Sequence, residues 1–429
     1  MNPFKKIIIS ILVMCAKHAI NRFGPKIIGI TGSVGKSSTK DAITAVLESK
    51  YDVRKSQKSY NSEIGLAMAV LGLSTAWKSP SGWLRNIWHG FNVAYGPSLR
   101  EGKTFPKILV LEMGVDRPQD FDKLLKIIKP DIGVVTAIGQ IPVHVEFFSG
   151  PEAVAKEKSK LIKNLASDGT AILNFDDEVV WDMKEKTKAK VISFGFGNGG
   201  DLRASNYKID LDGINFKLER EGASVPIRLN KVYGKQHVYA AMAGAAAGLA
   251  FGMNLIEIAG ALQKYSAPPG RLKLIEGIKN SWILDDSYNA SPLAMHAALD
   301  TLGDLKTIEK KIVVFGDMLE IGKFTIEAHK TIGELAAKYA DYLITVGPRS
   351  KFTAEGAISS GMPKKNIKSF STSDEAAVFV KTLINKGDLI LVKGSQGLRM
   401  EKIVLEIMAH PEEADKLLVR QDEYWRNKK

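Results

Sequence analysis

In KIIGITGSVGKSS (residues 26–38) a run of β-branched apolar residues passes directly into glycines, a lysine and serines. An apolar strand ending in a glycine-rich turn that opens a helix is the context a phosphate-binding loop requires. The turn aims backbone N–H groups at phosphate oxygens, and the helix N-terminus favours their charge. Thr31, Gly32, Ser33, Val34, Gly35, Lys36, Ser37 and Ser38 are therefore read as a nucleotide-binding loop. Lys36 is expected to neutralise the terminal phosphates and Ser37 to place its hydroxyl on Mg²⁺. Against the strict G-x-x-x-x-G-K-[ST] spacing the first glycine is displaced, with Ile30 in its place and Gly32 supplying the turn.

The same rhythm continues on the C-terminal side. KILVLEMG (107–114), IGVVTAIG (132–139) and TAILNF (170–175) are short apolar runs separated by helical stretches at 118–128 and 151–165. Buried strands alternating with helices predict a P-loop-type, mostly parallel α/β sheet. VISFG, LRASNYKI, GINFKLE and VPIRL, between about residues 190 and 230, are more polar and turn-rich, and are expected to finish one edge of that sheet with antiparallel strands. APPGR (267–271) is the best linker in the chain. Beyond it WILDD, KIVVFGD, YLITVG and LILVKGS restart the pattern as a Rossmann-like doubly wound unit. The expected organisation is a basic, apolar leader helix at 1–25, a central nucleotide-binding domain at 26–267 and a C-terminal domain at 268–429.

Composition narrows the setting. The 429 residues are 45% hydrophobic and 25% charged, as in a globular α/β protein, and the single cysteine, Cys15, excludes an intramolecular disulfide framework and a Cys-based zinc cluster. A reducing, cytoplasmic setting is expected, and a monomer. The net charge of +13 suits nucleotide substrates, and no stacking-aromatic or helix-turn-helix pattern points to nucleic acid. In the leader, Lys5 and Lys6 precede an apolar stretch from Ile7 to Ala16 that is too short to span a bilayer. It is read as a helix packed on the body. The alternative is a surface-lying anchor at the inner face of the membrane, with Lys5, Lys6, Lys17 and Arg22 at the headgroups. In segment 74–105, Trp83, Ile87, Phe91 and Ala94 fall at helical spacing near Trp77 and Trp88. A core-facing helix is expected there, with a membrane or partner surface as the alternative.

Further residues stand where chemistry is done. Glu112 closes a strand at the carboxyl edge of the sheet, where open α/β sheets hold ligands. His144 lies in the loop after the next strand and, as a neutral imidazole, is a potential metal ligand. ITGSVGKSS, SYNSEIG (59–65), EMG (112–114), TAIG through HVEFF (136–148), VAKEK (154–158), PGR (269–271), DDSYNASP (285–292), FGDMLEIG (315–322) with His329, and LVKGSQGLRME (391–401) occur in this order. Together they closely resemble the Mur ligase family, and within it the branch that adds D-alanyl-D-alanine to a UDP-muramoyl tripeptide in cell-wall synthesis.

The resemblance, which covers about residues 26 to 410, implies an ATP-dependent, ADP-forming ligase that activates a carboxylate as an acyl phosphate and couples it to an amine. It implies ATP and two Mg²⁺ ions, with Ser37, Glu112 and His144 as ligands. Lys158 is the lysine implied to become a carbamate able to help hold the second ion; Lys156 fits the register less well. Arg271 would reach the γ-phosphate from the second domain and Asp286 would hold the ribose, with Tyr288 and Asn289 beside them. Asn61 and Ser62 fall on the substrate side, and Lys393, Gly394 and Ser395 face the incoming amine.

Three features depart from the family pattern. Only about 30 residues precede the phosphate loop, where family members carry a domain for the UDP substrate. The adenine-side stretch reads Gly234-Lys235-Gln236-His237 and then Ala240 in place of G-[RK]-H-N with a further Asn, so His237 is expected to replace an asparagine as a hydrogen-bonding partner of the base. Gln140 to Val143 look inserted before His144. Two alternatives follow from these departures: a ligase acting on a non-UDP or membrane-presented carboxylate, and a nucleotide-binding subunit without ligase activity.

Overall fold

β1 (Lys26–Thr31), β2 (Val53–Lys55), β3 (Ile108–Glu112), β4 (Ile132–Val135), β5 (Thr170–Asn174) and β6 (Lys190–Gly195) form a parallel array in the order β2-β3-β1-β4-β5-β6. β7 (Leu202–Asp210) joins β6 in parallel, and β8 (Gly213–Arg220) and β9 (Ala223–Asn230) complete a nine-stranded sheet with antiparallel pairings at its edge. The structure is a computed structural model that describes residues 3–57, 60–77, 79–96, 104–306 and 309–426. Ser59 and the end of the tryptophan-rich segment, 97–103, fall outside the described residues.

The position of β1 matters most. It pairs with β3 on one side and β4 on the other, so the chain leaves it at the point where strand order reverses, and a crevice opens at its carboxyl end. The helices of this half are α1 (Pro3–Phe23), α2 (Lys36–Leu47), α3 (Glu63–Leu71), α4 (Pro80–Tyr95), α5 (Asp120–Leu125), α6 (Pro151–Lys163), α7 (Glu178–Trp181), α8 (Lys235–Ala250) and α9 (Leu255–Leu262). α2 and α8 bury Ala42, Ile43, Val46 and Val238 against one face of the sheet. α1, α3 and α6 cover the other with Leu12, Leu66 and Leu161. Ile8, Leu12, Cys15 and Ala19 recur at helical spacing and are buried, so the leader is a helix packed on the body. No helix among the described residues is long and apolar enough to cross a membrane.

The second sheet has the order β10-β11-β15-β12-β13-β14, built from β10 (Lys273–Gly277), β11 (Ser281–Asp286), β12 (Lys311–Gly316), β13 (Tyr342–Val346), β14 (Ile367–Phe370) and β15 (Leu389–Lys393). Among the described strands of this sheet only β10 pairs antiparallel. The four apolar runs seen in the sequence are its centre. β10 and β14 escape the sequence pattern because they are edge strands, β10 buried only in part and β14 with no fully buried residue. The two sheets do not stand apart, since Val145, Val154 and Tyr233 share one apolar cluster with Leu272, Leu284 and Met295.

One sequence expectation is corrected at α4. Trp83 and Ile87 pack inward and Ala94 is buried, but Phe91 is 40% exposed and points away from the core. Both faces of this helix are apolar, so periodicity alone assigns Phe91 to the wrong side.

Candidate active site

The loop after β1 is held open by its neighbours. Gly32 has φ +146°, and a Cβ there would lie 2.0 Å from Thr136 Oγ1 and 3.1 Å from Ala137 O. Thr136 donates to Val34 O at 2.5 Å, and Ser33 N donates to Ala137 O at 2.7 Å, which ties the loop to the end of β4. Gly35, in a left-handed conformation, precedes α2; no side chain caps that helix and no acidic residue occupies its first turn. The helix N-terminus is therefore available to an anion. Gly32→Ala is expected to weaken Mg·ATP binding by roughly tenfold or more, because strain of about 1–3 kcal/mol falls on the binding conformation. Calorimetry checks it, and unchanged affinity would mean that the loop adopts another shape when it binds.

Two ammonium groups meet on this loop. Lys36 Nζ donates to Gly32 O at 2.8 Å and Lys158 Nζ donates to the same oxygen at 3.1 Å. Lys158, on α6, is 2% exposed, whereas Lys156 is on the solvent face of the helix. Tertiary placement thus turns inward the lysine that the family register favoured and leaves Lys156 in solvent. Burial, reinforced by repulsion from Lys36, pulls the Lys158 pKa down to about 7. Lys36 is also lowered, by burial first, with Glu112 opposing and Arg271 adding to the effect.

Glu112 is 2% exposed and accepts from Ser37 Oγ at 3.0 Å, while its own N–H donates to Ser56 Oγ. Gly114, two residues on, admits Asn61 so closely that a Cβ would lie 2.4 Å from Asn61 Nδ2, and its N–H donates to Asn61 O. The SYNSEIG and EMG motifs therefore meet at the sheet edge, with Ser62 leading into α3. Among the described residues no three His, Cys, Asp or Glu side chains converge as a ready-made metal cage. A hydroxyl and one carboxylate beside a phosphate loop are nonetheless a fitting donor set for Mg²⁺, which draws most of its ligands from phosphate and water. Ser33 Oγ, buried in the loop, has no partner of its own.

His144 takes a positive φ of 69° and stands between two carboxylates. Its Nε2 is 3.3 Å from Asp116 Oδ1, and its Nδ1 is 2.6 Å from Glu320 Oε2 of the second domain, without the alignment of a good hydrogen bond. Asp116 is close enough to Lys36 and Lys158 to oppose in part the lowering of both their pKa values. Neither Asp116 nor Glu320 was singled out from the sequence. The signal for Asp116 was its place just beyond Glu112 at the same sheet edge.

Across the linker, the Arg271 guanidinium lies 4.0 Å over the Tyr288 ring. Lys393 Nζ pairs with Asp286 at 2.7 Å and donates to Asn289 O at 2.8 Å, with Lys393 only 1% exposed. Burial pushes both partners toward neutrality, and their mutual attraction opposes it. Lys393 was expected to face the amine; here its ammonium is spent on the Asp286 carboxylate, because the ends of β11 and β15 are adjacent in register. Gly394 packs against Gly316, and Ser395 accepts from Leu319 N at 2.9 Å.

His237 is also placed differently from the sequence expectation. It is fully buried at the start of α8, with Nε2 donating to Arg271 O at 2.9 Å and Nδ1 accepting from Tyr265 Oη at 2.6 Å. Both ring nitrogens are occupied, so it offers no free edge to a base. Through His237, the Tyr265 hydroxyl is thus linked to the backbone that carries Arg271. Burial pulls the His237 pKa from 6.5 to about 4. The unfolded chain accepts a proton that the folded one refuses. The stability held above pH 6.5 is therefore lost as pH falls through about 4, by up to about 3 kcal/mol. His237→Gln is expected to flatten the acid limb of a urea-midpoint against pH plot, and parallel limbs for variant and parent would reject the assignment.

A phosphate loop at the switch point of a parallel sheet, cations gathered on it, and a second doubly wound unit that brings an arginine to its rim define a two-domain nucleotide-dependent enzyme. The model of the Mur ligase middle domain matches residues 98–248, and that of the Mur ligase, glutamate ligase domain, matches 270–396. The chain is 31% identical to the UDP-N-acetylmuramoyl-tripeptide--D-alanyl-D-alanine ligase of Bacillus subtilis, over 93% of this chain and 79% of that one. It is 29% identical to the enzyme of the same name from Mycobacterium tuberculosis, over 90% and 73%. Among solved structures, MurF from Acinetobacter baumannii superposes with a TM-score of 0.77 at 26% identity, covering 92% of this chain and 79% of that one. The chain belongs to the Mur ligase family, and it is an ATP-dependent, ADP-forming ligase.

Proposed function

We propose that this enzyme joins D-alanyl-D-alanine to a UDP-linked muramoyl tripeptide in peptidoglycan precursor synthesis, the reaction for which its Bacillus subtilis relative is named. The observation that carries the reading is the meeting of Lys36 and Lys158 on Gly32 O, beside Glu112 and within electrostatic reach of Arg271. Two cations sharing one carbonyl oxygen are poorly compensated until a polyanion arrives, and a triphosphate is the polyanion the loop is shaped for.

The working units are the leader 1–25, the central domain 26–267 and the C-terminal domain 268–429, hinged near Ala267. A carboxylate has no leaving group. Its oxygen attacks the γ-phosphorus, ADP departs, and the acyl phosphate that results has one. Lys36 and Arg271 neutralise charge that spreads over the γ-phosphoryl oxygens in that step. Ser37 and Glu112 would hold one Mg²⁺, and His144 with a carbamylated Lys158 would hold a second. When bound, such ions would add to the charge neutralisation. A lysine with a pKa near 7 is partly the free amine that addition to CO₂ requires. The amine of the dipeptide then attacks the acyl carbon, loses a proton, and the tetrahedral intermediate expels phosphate to leave the amide. Asp286, Tyr288 and Asn289 line the nucleoside side, Asn61 and Ser62 the carboxylate side, and Gly394 and Ser395 the amine side. His237 acts from beneath, by fixing the backbone of Arg271. The proposed setting is the cytoplasm, as a monomer working against the inner face of the membrane.

With ATP, Mg²⁺, UDP-muramoyl tripeptide and D-alanyl-D-alanine, phosphate release is expected only when both acceptor and dipeptide are present. Release with neither, or with a different pair alone, would overturn the substrate assignment.

A further inference from the structure

α4 has a second apolar face that none of the described residues covers. Leu84, Trp88, Phe91 and Tyr95 recur at i, i+4, i+7 and i+11 and form one stripe, with Leu84 64% and Trp88 65% exposed. Scattered exposed apolar residues are ordinary, but four large ones aligned on one helix are not. The stripe continues onto α1, which runs alongside α4 in the same direction. Leu12 lies against Gly90, and Arg22 donates to Ala94 O and Gly96 O at 3.1 and 2.8 Å. The Tyr95 ring rests 4.1 Å from that of His18, and Met14 and His18 share a shallow groove with Tyr95. Met14 and Ile7 are 45% and 57% exposed.

The charges around this ridge are one-sided. Pro3–Phe23 and Pro80–Tyr95 contain no aspartate or glutamate, while Lys5, Lys6, Lys17, Arg22 and Arg85 are all exposed. Glu63, from α3, is the acid that lines the groove. A second copy of the chain docked on this face would set these cations against their own duplicates, which disfavours self-association. An anionic bilayer meets both features at once: it accepts aliphatic and aromatic side chains at the headgroup boundary, where Trp and Tyr concentrate, and it attracts the cations around them.

We propose that α4, flanked by the outer edge of α1, docks the enzyme in the plane of an anionic lipid surface, with Leu84, Trp88, Phe91 and Tyr95 inserted. The exposed face of the leader contributes cations, its packed face supports α4, and the inserted face belongs mainly to α4. This inference stands independently of the ligase reading, because none of these residues lies in the site.

The test is flotation of the full chain with vesicles of phosphatidylcholine, and with vesicles in which a third of the lipid is phosphatidylglycerol. Binding to the second kind only, weakened by salt, is expected. The double variant Trp88→Ser, Phe91→Ser is expected to lose at least about tenfold in partitioning while phosphate release in solution is unchanged. Lys5→Glu with Arg85→Glu, which leaves the stripe intact, is expected to weaken binding as well. Equal binding to both vesicles, binding indifferent to the serine variant, or no binding overturns the proposal. So does a dimer in sedimentation that the serine variant abolishes without any vesicle binding. Failure of the ligase reading would appear in phosphate release, which involves no lipid.

Discussion

Lys36→Met is expected to lower kcat/KM by about a thousandfold, near 4 kcal/mol of transition-state stabilisation, with the fold intact. The ammonium is parked on Gly32 O at 2.8 Å, at the mouth of an uncapped helix, and methionine keeps an unbranched side chain, one atom shorter, without the charge. Lys158 would be relieved of a repulsive neighbour, so thermal stability should stay level or rise. Two measurements separate the outcomes. Steady-state phosphate release should collapse, while the unfolding midpoint should not fall. Turnover within a factor of a few of the parent would remove the basis for the proposed phosphoryl transfer.

The second large effect concerns Lys158. Because burial and Lys36 hold its pKa at about 7, the ammonium dominates below that pH and the free amine above it. Addition to CO₂ needs the amine, so carbamylation should rise as pH passes upward through 7 at fixed dissolved CO₂. Lys158→Arg keeps a cation on α6 but cannot be carbamylated, and a loss of about a hundredfold or more in kcat is expected, with ATP binding changed far less. Enzyme handled without CO₂ should regain turnover on adding bicarbonate, and ¹³C-labelled bicarbonate should give a carbamate resonance that Lys158→Arg lacks. Absence of that resonance together with indifference to bicarbonate would sink the modification, although Lys36 would keep its part.

Much of the fold was legible because its signals are local. A buried parallel strand must be an apolar run, and a phosphate loop must begin with backbone that only glycine adopts easily, so residues 26–38 and the strands ending at Glu112 and Val135 announce themselves. The edge strands β10 and β14 do not, since half-exposed strands carry mixed side chains. At the site, the residue pattern alone named the loop, Glu112 and His144, and the arginine after the linker came only from the family resemblance.

What the sequence determined by itself was therefore the sheet class, the nucleotide loop and the order of the motifs. Only the tertiary structure decided that Lys158 and not Lys156 turns inward, that Lys393 is consumed by Asp286, that His237 holds the Arg271 backbone, and that His144 meets Asp116 and Glu320. It also turned the Leu84 to Tyr95 stripe outward. Each of these depends on which distant segment supplies the opposing surface or charge, and burial, ion pairing and pKa are properties of that pairing and not of either partner's neighbours in the chain.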